Sequence, residues 1–164
     1  MLKWIAVIVL IPIALLAIAA LAGLALPKAH VASRSRHVKH TPDRAFTLIS
    51  GVDHYTTWRT DMKSIERLPD DDGHIAWREN GSNGPITYRA VESTAPRRFV
   101  AEISDRSLPY GGRWEYDVTP NGTGSNVTIT ERGEIYNPVF RSLARFVFGY
   151  TGSMEKTLDA LEKA

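Results

Sequence analysis

The chain contains no cysteine. That excludes disulfide cross-links, thiol nucleophiles and thiolate metal ligands, and it suits either side of a membrane. There is also no excess of charge of either sign. The formal net charge is +2 at pH 7, so nothing in the balance calls for nucleic acid as a partner. The five histidines, His30, His37, His40, His54 and His74, form no H-x-x-x-H pair on a helix and no H-E-x-x-H, so no metal site is expected. There is no G-x-S-x-G, no P-loop and no G-x-G-x-x-G, and no cofactor is expected. No internal repeat or low-complexity tract occurs.

What is present begins with an uncharged apolar run from Trp4 to Leu26. A membrane-spanning helix needs about 20 such residues, whereas a secretory h-region has about 7–15. The length predicts a retained single span, with residues 1–28 as a transmembrane anchor. A signal peptide cleaved after the Ala20-Leu21-Ala22 triplet is the alternative. Lys3 and Trp4 sit where interfacial anchors belong, and Pro12 is tolerable inside a membrane helix. Lys28, Arg34, Arg36 and Lys39 follow the run, which leans toward a domain on the cytoplasmic side. The expectation is a single-pass membrane protein that meets the membrane through residues 4–26. Residues 29–164 then suit one domain with one core.

Within that domain, His30–His40 alternates basic and small residues as a strand. Arg34 and Arg36 share one face; Val31, Ser33, Ser35 and His37 share the other. Thr41-Pro42-Asp43 starts a short helix that Gly51 ends, and a second short helix carries Tyr55 and Trp58. Six one-sided strands follow at Lys63–Leu68, His74–Glu79, Ile86–Ser93, Phe99–Ser104, Gly111–Thr119 and about Asn126–Tyr136, separated by turn-forming residues. Such a series implies a curved antiparallel sheet with one face in water. Gly111-Gly112 reads as a bulge or bend in that sheet.

The C-terminal part predicts one long helix from Asn137, as N-cap, and Pro138 to about Lys163. Phe140, Leu143, Ala144, Val147, Tyr150, Met154, Leu158 and Leu161 recur at helical spacing. A helix of that length would run about 36 Å and lay its apolar stripe on the concave face of the sheet. Gly149 and Gly152 either permit close approach to the sheet or mark a bend, and packing is the favoured account.

The element order and the strings ITYRAVESTAPRRFVAEI, LPYGGRWEYDV and GEIYNPVFRSLARFVFG resemble the START-like (SRPBCC) superfamily of polyketide cyclases, dehydrases and lipid-transport proteins. The resemblance covers roughly Ala29 to Lys163. It implies an α+β helix-grip fold, a curved antiparallel sheet wrapped around a long C-terminal helix, here preceded by one transmembrane helix. It also implies a cavity between sheet and helix. Members include lipid carriers, aromatase/cyclases, plant hormone receptors and coenzyme-assembly factors, and the superfamily carries no universal catalytic motif to transfer.

If Trp114, Tyr116 and Val118 face the concave side, the alternation turns Trp77, Tyr88, Phe99, Ile103, Val127 and Ile129 inward with them. His37, Glu79 and Glu131 follow the same parity. Trp and Tyr each bring a polar atom that needs a partner, and an apolar pocket with a few convergent polar groups is the usual form of a ligand site. Trp77, Tyr88, Phe99, Trp114, Tyr116, Glu131 and Tyr150 are the candidate ligand-binding residues; ordinary core is the alternative for the aromatics. An inward carboxylate near a strand end can simply reach water. Otherwise Glu79 or Glu131, with His37 or Tyr88, would orient a ligand or act as acid or base. The expected partner is a hydrophobic small molecule or lipid, and the expected function is its membrane-anchored binding or transport. A cyclase/dehydrase-type enzyme and a non-enzymatic assembly or interaction module are the alternatives. Arg97-Arg98 and the Arg34/Arg36 face are expected to be solvated.

Overall fold

Along every strand the alternation of apolar and polar residues resolves into one sheet with a wet side and a dry side. The computed structural model describes residues 2–82 and 84–164, apart from the side chains of residues 2–7 and 9. Lys3 and Trp4, the expected interfacial anchors, therefore fall outside the described side chains. The elements are α1 (Leu2–Ala25), β1 (Ala29–Val38), α2 (Pro42–Ser50), a 3-10 turn (Val52–His54), α3 (Tyr55–Trp58), β2 (Met62–Asp71), β3 (His74–Gly81), β4 (Gly84–Thr94), β5 (Arg98–Ile103), β6 (Tyr110–Asn121), β7 (Gly124–Ile135), α4 (Pro138–Leu143), a π turn (Ala144–Phe148) and α5 (Gly152–Lys163). The strands form a seven-stranded sheet in the order β1-β7-β6-β5-β4-β3-β2, antiparallel at every pairing.

Local chemistry sets the helix starts. Thr41 Oγ1 accepts from the Arg44 N–H at 3.4 Å, with Pro42 as the first helical residue. Asn137 Oδ1 accepts from the N–H groups of Val139 at 2.9 Å and Phe140 at 3.2 Å, ahead of Pro138. A side-chain cap of this kind contributes about 1 kcal/mol. The core lies between the concave face of the sheet and the helices. Val38, Phe46, Ile49, Trp77, Val127 and Ile129 meet Met154, Leu158 and Leu161 of α5 there.

Three expectations are corrected. The single long C-terminal helix is broken into α4, the π turn and α5. At the break Gly149 takes φ +70° and ψ −178°, backbone angles that residues with a side chain avoid. Nothing lies within 4 Å of a Cβ built at Gly149 or Gly152, so these glycines serve the break and not a close approach. Of the predicted stripe, Met154, Leu158 and Leu161 are buried, while Phe140 and Val147 are exposed along with Phe146 and Phe148.

Strand β1 faces the other way from the sequence reading. Arg34, Arg36 and Val38 pair with Ile129, Val127 and Ser125 and so share the concave parity. Arg34 bonds Glu155 at 2.9 Å, and Arg36 bonds Asp159 and Glu162, all on α5. His37 pairs with Asn126 on the outer parity, which removes it from the inward set. The acidic face of α5 provides partners that make inward arginines favourable on this edge strand.

Among the described residues no helix is long and apolar enough to cross a membrane. This corrects the expected transmembrane anchor over Trp4–Leu26 and the membrane localisation with a cytoplasmic domain. The final turns of α1 are occupied by protein contacts. Ser142 Oγ donates to Ala19 O at 2.6 Å, and Arg141 donates to Gly23 O at 2.8 Å and Leu26 O at 3.1 Å. Gly23 is buried there, with the Pro138 backbone where a Cβ would sit. Arg141 and Ser142, not the apolar stripe, form the buried face of α4.

Candidate ligand cavity

The inward positions of neighbouring strands stack into an aromatic arc. Register places Trp77 opposite Tyr88, Phe99 opposite Tyr116, and Ala101 opposite Trp114. Ring centroids lie 5.7 Å apart for Trp77–Tyr88, 6.3 Å for Trp77–Phe99, 6.2 Å for Phe99–Tyr116 and 6.1 Å for Trp114–Tyr116. These spacings suit offset and tilted aromatic packing. Over the arc lies a cavity of about 780 Å³, which the 144–153 stretch reaches through Ala144, Phe148, Tyr150 and Ser153.

One end of the cavity is a buried ion pair. Arg59, immediately after α3, takes an extended conformation and turns its guanidinium inward. Its Nη1 donates to Glu79 Oε2 at 3.2 Å, while Nε and Nη2 donate to the two oxygens of Asp61 at 3.4 and 3.0 Å. Trp77 Nε1 donates to the other Glu79 oxygen at 3.1 Å. The guanidinium also lies 5.1 Å from the centroid of the Tyr55 ring, close enough for a cation–π contribution. Tyr55 itself is anchored by its hydroxyl, which donates to Ile49 O at 2.5 Å.

The electrostatics follow from this burial. Desolvation raises the Glu79 carboxyl above its ordinary value, and the opposing Arg59 charge and Trp77 hydrogen bond do not fully offset it. For Arg59 burial is the largest influence and works against the charge, but the Glu79 carboxylate and the Asp61 contacts together outweigh it and hold the guanidinium above its usual value. Burial likewise drives the Tyr88 and Tyr116 phenols upward, so both are neutral donors. Among the described residues the only buried side-chain polar atom without a partner is Trp58 Nε1. The hydroxyls of Tyr88 and Tyr116, which make no protein hydrogen bond among those residues, therefore open onto the cavity they line.

The other end is built from β1, β7 and the break before α5. His30 Nε2 lies 3.1 Å from Glu131 Oε1, and the His30 ring stacks on Tyr150 with centroids 4.0 Å apart. Glu131 is directly opposite Trp114 on β6.

The candidate residues Trp77, Tyr88, Trp114, Tyr116, Glu131 and Tyr150 all line this one cavity. Phe99 does not; it is a buried member of the arc, its ring packed against those of Trp77 and Tyr116. Glu79 and Glu131 are inward as their parity requires, each with a cationic or imidazole partner. Sequence reasoning missed Arg59, Asp61, Tyr55 and His30 as lining residues. For Arg59 and Asp61 no periodic signal existed, because a charged pair after a short helix reads as solvated. His30 shares strand parity with Arg34 and Arg36, but the face that parity takes is set by partners on α5, so parity alone did not place it.

The fold has well-matched counterparts. Truncated norcoclaurine synthase from Thalictrum flavum superposes with a TM-score of 0.65 at 13% identity, over 82% of this chain and 92% of that one. A START superfamily protein from Mycobacterium smegmatis gives 0.65 at 14% identity, over 82% and 95%. The di-domain ARO/CYC BexL of the BE-7585A biosynthetic pathway gives 0.66 at 10% identity, over 87% of this chain and 52% of that one. At these identities the likeness establishes the fold alone. No curated protein matches the chain in sequence. The family described as polyketide cyclase / dehydrase and lipid transport matches over residues 29–164, the whole of the sheet and its packed helices, and the chain belongs to that family.

Proposed function

We propose that the domain binds a hydrophobic small molecule, lipid or polyketide-like, between the concave sheet and the C-terminal helical segments. In this reading Trp77, Tyr88, Trp114, Tyr116 and Tyr150 contact its apolar body. The Arg59–Glu79 pair and the two tyrosine hydroxyls receive a polar group at one end, and Glu131 lies at the other. The observation that carries the proposal is the pair of unpartnered hydroxyls, Tyr88 and Tyr116, opening onto an aromatic cavity. Each hydroxyl is free to donate to a carbonyl or hydroxyl of a molecule that replaces water in the cavity. The cavity falls within the roughly 300–1,000 Å³ of small-molecule sites. Family membership supports the same reading.

Solvent extraction of the purified full chain followed by mass spectrometry tests it, with Trp114→Ala beside Trp77→Ala. Trp77 is fully buried, and its truncation should cost about 3–5 kcal/mol. Trp114 is half-buried and loses fewer neighbours, so Trp114→Ala should stay folded and co-purify with less ligand. A folded Trp114→Ala protein with an undiminished ligand load would make the arc ordinary core.

A further inference from the structure

The second polar end of the cavity carries an arrangement suited to moving a proton. Resting on the ligand-cavity reading above, we propose that His30 is a general base. It would act on a planar, largely apolar substrate with an acidic C–H beside a carbonyl, while Glu131 positions it. The two side chains are 12% and 23% exposed, so their interaction is only partly screened by water. An ionised carboxylate can only accept, so the 3.1 Å contact with Glu131 places the neutral ring's proton on Nε2. That leaves the lone pair on Nδ1. Among the described residues this atom makes no hydrogen bond and is not one of the buried unpartnered atoms, and His30 is one of the residues that line the cavity. Stacking on Tyr150 at 4.0 Å fixes the ring plane.

The backbone keeps space for the pair. Gly133 faces His30 across the β1–β7 ladder. A Cβ there would lie 2.6 Å from His30 Nε2 and 2.8 Å from Glu131 Oε1, so any other residue would push the two side chains apart. An orienting carboxylate behind an imidazole base is the usual requirement for efficient proton abstraction. In the step, Nδ1 takes the proton, the C–H bond breaks, and its electron pair moves into the carbonyl as an enolate. The imidazolium then returns the same proton to another carbon or to oxygen of the enolate. Atoms and charge balance without a co-reactant.

The probe is 5-nitrobenzisoxazole, flat and apolar, which reports a base in one step. Loss of its ring C–H proton breaks the N–O bond and releases a coloured cyanonitrophenolate. Binding to the full chain is followed by quenching of tryptophan fluorescence, since Trp77 and Trp114 line the cavity. General-base catalysis contributes about 10²–10⁴-fold. Accordingly His30→Ala should lower kcat about 100-fold with KM little changed, and added imidazole should restore much of the loss, which no structural role would produce. Glu131→Gln, nearly the same shape, should lower kcat about 10-fold and decides the matter if His30→Ala does not fold. A bound probe whose turnover is indifferent to both substitutions, or follows Glu79→Gln instead, overturns the assignment and leaves the binding reading intact. Failure of the probe to bind removes both.

Discussion

Two carboxylates on opposite faces of the sheet, Glu79 and Glu115, are almost equally withdrawn from water, at 7% and 5% exposure, yet they are shifted in opposite directions. Glu115 on the outer face accepts from Arg98 at 3.1 Å and from Arg113 and Arg132 at 2.8 Å each. Burial pushes its carboxyl up, but three guanidinium hydrogen bonds pull it below the ordinary value. Glu79 on the concave face has one arginine, which it shares with Asp61, and one indole. There desolvation prevails and the carboxyl is raised. Surface exposure alone therefore does not determine what such a carboxylate does; its depth in the protein and the completeness of its donor shell both do. Glu115 is a clamp that ties β5, β6 and β7 together. Glu79 is held in tension beside a cavity, where a ligand donor would relieve it.

The strongest way to break this contrast is Arg59→Met, which leaves Glu79 buried with no guanidinium partner. Removing one partner of a buried pair typically costs about 3–5 kcal/mol, measured here as a loss in denaturant-unfolding free energy at pH 7. A loss below about 1 kcal/mol would place the pair effectively in water. A smaller, pH-dependent effect is expected of Glu79→Gln. Because the folded-state pKa of Glu79 is raised, its contribution is fully present below the unfolded value, near 4.5, and is lost as pH rises through the folded value. The variant, which does not titrate there, should gain on wild type in Tm as pH rises through the window just above 4.5, whatever its starting offset. A difference that is flat across that window, or of the opposite sign, would show that Arg59 over-compensates Glu79 as the three arginines do Glu115. The smallest effect should come from Glu115→Gln. Its three arginines are 31%, 48% and 51% exposed, so the network is worth about 1 kcal/mol at most, and 1 M salt should shrink the loss further. A salt-independent loss of several kcal/mol would make the outer clamp the more tightly desolvated of the two.

Trp77, Tyr88, Trp114 and Tyr116 were legible as inward residues because strand parity is local, and one well-assigned position fixes all its alternates. Phe99 shared that parity but packs against Trp77 and Tyr116 without lining the cavity, since parity separates faces and not depths. The inverted face of β1 was illegible for a different reason. Its inward residues are charged, and their justification lies on α5, with Arg34 meeting Glu155 far along the chain. The glycines of the C-terminal segment gave an ambiguous signal, because a break and a close approach require the same residue. Only the open space around Gly149 and Gly152 distinguishes them.

The sequence by itself determined the order of elements, the helix caps at Thr41 and Asn137, the turns and the family resemblance. Each of these rests on hydrogen bonds and steric rules acting within a few residues. Tertiary structure alone decided the break in the final helix, the docking of α1 onto Arg141 and Ser142, and the two polar ends of the cavity. His30 reaches Glu131 and Arg59 reaches Glu79 only after the sheet has closed. The free energy of such pairs depends on burial and on the remaining donors around them, and neither exists until distant segments have packed.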